Sequence, residues 1–197
     1  MRLIMSEHPD VSAETSAPPS PWVMRFAPLM PSGGRVLDLA CGRGRHARAL
    51  AARGWQVDAV DRDAEALESL AGCAGITCRQ ADLEAGGWPF HGEGYDGIVV
   101  TNYLWRPLLP MLLQLLDPGG VLIYETFMVG NERFGKPSNP QFLLRSGELL
   151  DLVRPRLRVV AYEQGEVASP RPAVVQRICA LRGGVGRLPS VLPPEPD

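Results

Sequence analysis

From residue 33 onward, short apolar runs alternate with glycine-, proline- and charge-rich stretches, and the lengths of those runs predict alternating strands and helices. Val36-Leu-Asp-Leu39 reads as a first strand and Gln56-Val-Asp-Ala-Val-Asp61 as a second. β-Branching predicts a third over Ile76–Gln80, with Tyr95–Thr101 and Val121–Thr126 as the fourth and fifth. Ala/Leu-rich segments of helical period lie between them at 45–53 and 64–71, the second opened by Asp63 as N-cap. Leu104 to Leu116 reads as a leucine-rich helix whose first turns Pro110 should distort. Leu83 to Gly94 is too rich in Gly and Pro for a full helix, and His91 within it reads as a solvated turn residue. Ser146 is a possible cap for a short helix over 147–153, and Leu157–Gly165 and Ala173–Arg182 alternate as an antiparallel pair. Near the amino end, Trp22, Phe26 and Met30 share one helical face. Strands alternating with helices predict an α/β fold, doubly wound about a mainly parallel sheet.

The ends of the chain differ from the middle. Residues 1–21, rich in Pro, Ser, Ala and Glu, read as a flexible arm, 22–183 as one domain, and 184–197 as a proline-rich flexible tail. With 197 residues and 45% hydrophobic content, the chain can build one sizeable core. A net charge of −2 carries no basic footprint, so no nucleic-acid partner is expected. No apolar run nears the ~20 residues of a membrane span, and the first ten residues lack a signal-peptide core. A cytoplasmic protein with no membrane partner is therefore expected. Cys41, Cys73, Cys78 and Cys179 have no zinc-ligand spacing, which predicts free thiols and no metal. Oligomeric state leaves no signal in the sequence.

Chemistry concentrates where the first strand ends. Gly42 and Gly44 bracket a tight turn before a helix start, a geometry in which a ligand can approach the backbone. Asp61 ends the second strand about 20 residues further on, where an acid can bind both ribose hydroxyls. Gly42-x-Gly44-x-x-Ala47 formally fits a dinucleotide fingerprint, so an NAD-binding module is one reading. Asp38 and Asp82 favour another. They add carboxylates near the turn and beyond the third strand, which suits a ligand with an ammonium and a sulfonium better than one with two phosphates.

The order Val36-Leu-Asp-Leu-Ala-Cys-Gly-Arg-Gly44, Val57–Asp61, Ala81-Asp-Leu83, Tyr95–Thr101 and Leu116–Tyr124 resembles the class I S-adenosylmethionine (AdoMet)-dependent methyltransferases over roughly Gly33 to Arg182. Within that family the glycine-turn stretch looks most like the tellurite-resistance and thiopurine-type small-molecule enzymes. The resemblance implies a seven-stranded sheet closed by a C-terminal β-hairpin, AdoMet as cofactor and S-adenosylhomocysteine as product. It implies that Asp38 acts on the amino-acid moiety, directly or through water. Ala40, Gly42 and Gly44 would supply close-approach backbone. Asp61 would bind the ribose, with Arg62 flanking the adenine, Asp82 and Leu83 at the adenine edge and Thr101 near the methionine portion.

A small-molecule acceptor, soft or anionic, is the leading expectation; a protein or RNA acceptor and a non-catalytic module are the alternatives. Thr101-Asn-Tyr-Leu lacks the prolines of the family's amino-methylating Asn-Pro-Pro-Tyr, although Asn102 and Tyr103 are still placed to position an acceptor. Candidate bases are His46, Tyr103 and Glu125, the first in a helical first turn where the macrodipole disfavours its charge. Trp22 and Arg25, with Phe26, either roof the substrate site or belong to a helix covering a sheet edge. The long connection from Phe127 to Phe142 is expected to cap the pocket, with Arg133 or Arg145 contacting an anionic substrate.

Overall fold

The computed structural model describes residues 17–85 and 87–183. Most of the predicted arm and the whole of the predicted tail lie outside them. Seven strands form one sheet in the order β3-β2-β1-β4-β5-β7-β6. They are β1 (Arg35–Leu39), β2 (Gln56–Asp61), β3 (Ile76–Gln80), β4 (Tyr95–Thr101), β5 (Leu116–Phe127), β6 (Arg158–Val167) and β7 (Ala173–Leu181). The first five pair in parallel, β7 runs antiparallel to β5, and β6 antiparallel to β7. This is the expected class I methyltransferase fold, with the terminal hairpin closing the sheet.

Parallel strands are covered on both faces, so side chains alternate between two cores. On one face Val36, Val99, Val121 and Ile123 pack against α1 (Pro21–Phe26), α2 (Arg45–Ala51) and α3 (Ala64–Glu68). On the other, Leu37, Ile98, Leu122 and Tyr124 pack against the 104–116 segment and α5 (Glu148–Val153). At the amino ends of the strands, Arg35 meets Asp58 at 2.5 Å, and the Tyr95 hydroxyl lies 2.8 Å from Asp58 and 2.9 Å from Glu93. Charge is neutralised there among protein groups, which leaves the carboxyl ends as the open side.

Two expectations need correction. Leu104–Leu116 is not one helix. It breaks into a 3-10 turn (Arg106–Leu108), a single α turn, α4 (Leu109–Leu112), and a second 3-10 turn (Leu113–Leu115). Pro107 and Pro110 both sit in first-turn positions, where each is tolerated and each forces a restart. β5 then begins at Leu116, five residues before the predicted Val121.

The 127–142 connection is the second correction, because it is tied to the sheet and does not cap the pocket. Met128 bridges Leu144, buried Asn131 accepts from the Val174 N–H at 3.1 Å, and its amide donates to the Pro137 carbonyl at 3.2 Å. Arg106 fastens the far end by donating to Glu148 at 2.6 and 3.0 Å and to the carbonyls of Gln141 and Leu143. Burial pushes the Glu148 carboxyl up, but the Arg106 bonds, the Arg145 N–H and the charges of both arginines together hold the group below its ordinary value.

No helix among the described residues is long and apolar enough to cross a membrane. Replacing Arg106 with Ala leaves Glu148 short of its main partner, which should cost about 1–3 kcal/mol in urea denaturation. Amide exchange between Phe127 and Leu144 should accelerate in the same variant, and unchanged exchange would assign the anchoring to Asn131 alone.

Candidate functional site

Two strands on the open side end in a backbone feature that shapes a hollow. Ala40 follows β1 in the left-handed region (φ 55°), and Asn102 follows β4 in the same region (φ 53°). Non-glycine residues rarely adopt this conformation, and it concentrates at ligand sites. Gly42 and Gly44 are left-handed too, and at Gly44 a Cβ would stand 2.5 Å from both Leu70 methyl carbons. Gly44 is thus required by its φ and by its contact with Leu70, just past α3, and it does not line the hollow.

The hollow is a cavity of about 690 Å³, within the size range of sites for small organic ligands. Ala40, Cys41, Gly42, Arg43 and Arg45 line it from the first turn and the start of α2; Asp61, Arg62, Asp63 and Ala66 from the tip of β2 and α3. Gln80 to Glu84 line it from the end of β3 onward, and Thr101, Asn102 and Tyr103 from the end of β4 onward. Its charged lining is four carboxylates against three guanidinium groups.

Asp61 closes the glycine turn. One carboxylate oxygen accepts from the Gly42 N–H at 2.7 Å and the other from the Asp63 N–H at 3.0 Å. A carboxylate offers about four acceptor sites, so both oxygens keep capacity for a ligand. Asp82 holds its own loop through Oδ1, which accepts from Glu84 and Ala85 N–H groups. Those bonds draw its pKa down, leaving it ionised. Asp63 caps α3 as expected, accepting from the Glu65 and Ala66 N–H groups.

Several sequence-predicted site residues are elsewhere. Asp38 is 1% exposed and does not line the cavity; its carboxylate accepts from the Ala47 N–H at 2.9 Å beneath α2. Burial raises its pKa to about 7, against the lowering effects of that N–H and of Arg45. His46 is equally buried. Its Nε2 accepts from the Ser20 N–H at 3.0 Å, so the ring proton is assigned to Nδ1, 3.4 Å from the Thr101 hydroxyl. Burial, assisted by Arg45, lowers its pKa to about 3, so a neutral imidazole joins the Ser20 segment to the end of β4.

Glu125 sits on the α1 face, 2.7 Å from Arg177, and does not line the cavity. Trp22 is 3% exposed and packs with Phe26 in the core on that face, its indole N–H donating to the Ile178 carbonyl. Arg25 is exposed, 4.0 Å from Glu163. Neither roofs the cavity, and α1 covers the sheet. Arg133 pairs with Glu166 at 3.2 Å and Arg145 with Glu148 at 3.5 Å, both away from the cavity. These two arginines follow the tethered 127–142 segment, which explains their displacement.

The sequence reading passed over Arg43, Arg45 and Glu84. Arg43 pairs with Glu65 at 3.2 Å, and Arg45, the first residue of α2, donates weakly to the Pro18 carbonyl at 3.4 Å. Their position beside Gly42 and Gly44 was the available signal.

Residues 36–120 match a family model described as a methyltransferase domain. A demethylmenaquinone methyltransferase of Clavibacter sepedonicus is 35% identical over 105 residues, 49% of this chain and 42% of that protein. The chain spans about half the length, or less, of the curated relatives it matches. TehB from Haemophilus influenzae superposes with a TM-score of 0.68 at 21% identity, covering 87% of this chain and 64% of that one. The glycopeptide N-methyltransferase MtfA in complex with S-adenosylhomocysteine gives 0.60 at 19% identity, over 85% and 91%.

The neutral His46 has a consequence for acid stability. Its folded pKa lies below the unfolded value near 6.5, so the unfolded chain gains the proton first and stability falls as pH drops from about 6.5 toward 3. Asp38 works in the opposite sense, losing stability as pH rises from about 4 to 7, and is common to wild type and variant. The stability difference between wild type and His46→Gln, from urea titrations, should therefore shrink by about 1.4 kcal/mol per pH unit between pH 6 and 4. A difference independent of pH would contradict a buried neutral ring.

Proposed function

We propose, from the premise that this chain carries a methyltransferase domain of the class I fold, that it binds AdoMet in the strand-end cavity and transfers its methyl group to a small-molecule acceptor. One observation carries the reading: Asp61, at the tip of β2, is fastened to the glycine turn while facing a cavity bounded by two left-handed strand ends. The NAD-binding alternative is disfavoured by the reversed β7, since a dinucleotide-binding sheet is parallel throughout its two halves.

The cavity suits AdoMet in size and charge. Asp61 binds the ribose hydroxyls, Asp82 and Leu83 meet the adenine edge, and Arg62 flanks the ring. Ala40 and Gly42 bring backbone close to the amino-acid portion, near Thr101. Arg45 at the start of α2 faces the carboxylate of that portion. Asp38 acts indirectly, by holding the first turn of α2 in place. Bound there, AdoMet supplies a methyl group that its sulfonium has already made electrophilic. The protein's work is to exclude water and hold an acceptor in line, which can contribute roughly 7–11 kcal/mol.

The acceptor class follows from what borders Thr101 and Asn102. His46 is neutral with its Nε2 engaged, and Glu125 is paired with Arg177. Neither is available as a general base, which favours acceptors that are soft or already anionic, such as thiolates or chalcogen oxyanions. The Clavibacter relative, named for a demethylmenaquinone substrate, is in keeping with a small-molecule acceptor.

Calorimetry tests the cofactor. Wild type should bind AdoMet and S-adenosylhomocysteine, Asp61→Ala should bind each at least 10-fold more weakly, and binding of NAD without AdoMet would end the proposal. A transfer screen over thiols, chalcogen oxyanions, phenols and amines tests the acceptor. With a thiol, log(kcat/KM) should rise with pH along the acceptor's own ionisation. An inflection near 6.5 that His46→Gln removes would instead restore a histidine base.

A further inference from the structure

Tyr103 was expected beside the acceptor, but its surroundings point elsewhere. After β4 the chain turns through left-handed Asn102, whose N–H donates to the Glu125 carbonyl at 2.9 Å. The Tyr103 carbonyl in turn accepts from the hydroxyl of fully buried Tyr124 at 2.8 Å. Two bonds from β5 thus fix the backbone on either side of the Tyr103 side chain. That side chain lines the cavity, and its hydroxyl is sealed from solvent without a hydrogen-bond partner.

The charges that act most strongly on this phenol are Glu84, Asp82, Arg62 and Asp61, all from the tips of β2 and β3. Burial, followed by Glu84 and Asp82, pushes the phenol above its ordinary value, so it is a donor at neutral pH. A sealed donor with no acceptor is costly to leave unmade. Of the two halves of the proposed ligand, the base lies at these tips, and its ring nitrogens are acceptors.

We propose that Tyr103 is a nucleobase-reading residue, its hydroxyl donating to a ring nitrogen of the adenine while Asp82 accepts from the exocyclic amine. The inference rests on the AdoMet reading and gives the site a paired donor and acceptor with which to recognise adenine. Tyr103 is then a cofactor-binding residue with no contact to the acceptor.

Tyr103→Phe keeps the ring and removes only the hydroxyl. Dissociation constants for AdoMet, S-adenosylhomocysteine and 5′-methylthioadenosine, which lacks the amino-acid portion, should all rise by a common factor of about 3- to 10-fold. The KM for AdoMet should rise by the same factor with a smaller effect on kcat, and the melting temperature of the ligand-free variant should not fall, because the hydroxyl removed has no partner there. Unchanged dissociation constants in a variant whose wild type binds AdoMet would overturn this inference and leave the broader reading standing. A reduced kcat with unchanged affinity would return Tyr103 to the acceptor side and also overturn it. Failure of the wild type to bind any of the three ligands would sink both.

Discussion

The buried carboxylate of Asp38 is the constraint on which the open end of the sheet depends. It sits within β1 with a single backbone partner, the Ala47 N–H, and almost no solvent. That bond fixes where α2 starts relative to β1, so the five residues between them must turn through left-handed Ala40, Gly42 and Gly44. Hydrogen bonding of a first-turn N–H by a carboxylate is an ordinary helix-start device, but here the acceptor comes from the preceding strand. Everything that lines the cavity from the β1 side inherits its position from this tie. Asp61 then fastens the same turn from β2, which makes the two strand tips one rigid wall.

The opposite ends of the strands show the contrast. There Arg35, Asp58, Tyr95, Glu93 and Arg79 consume one another's charges, with Arg79 donating to Glu93 at 2.9 and 3.1 Å. At the carboxyl ends, acids and arginines face a common space. A sheet with helices on both faces can hold a ligand only beyond its strand tips, and the asymmetry of charge pairing between its two ends marks which tips.

The strand order was readable because each strand carries a local apolar signature and the motifs occur in a recognisable succession. That Asp61 and Asp82 line the cavity was readable for the same reason, since both are tied to their strands by sequence position. The surroundings of the residues expected around an acceptor were not. Trp22 and Arg25 depend on how α1 docks, and Arg133 and Arg145 on where a long connection is tethered; both are set by contacts distant in sequence, such as Asn131 with Val174. Glu125 was placed correctly at the end of β5, but its partner Arg177 lies on β7, and only the pairing of β5 with β7 reveals it. His46 lies in the helical first turn where it was expected, but its burial under Ser20 cannot be seen from that location.

The bond from Ser20 to His46 also fixes where the chain arrives. Pro18 and Ser20 touch Arg45 and His46, at the cavity end of the sheet, whereas Leu181 at the end of β7 pairs with Val121 near the opposite end. The described chain therefore enters beside the cavity and departs from the far side. A reporter or affinity handle joined beyond Gly183 leaves on the closed side of the molecule. One joined ahead of Ala17 begins at the rim of the open side, where it competes for space with whatever visits.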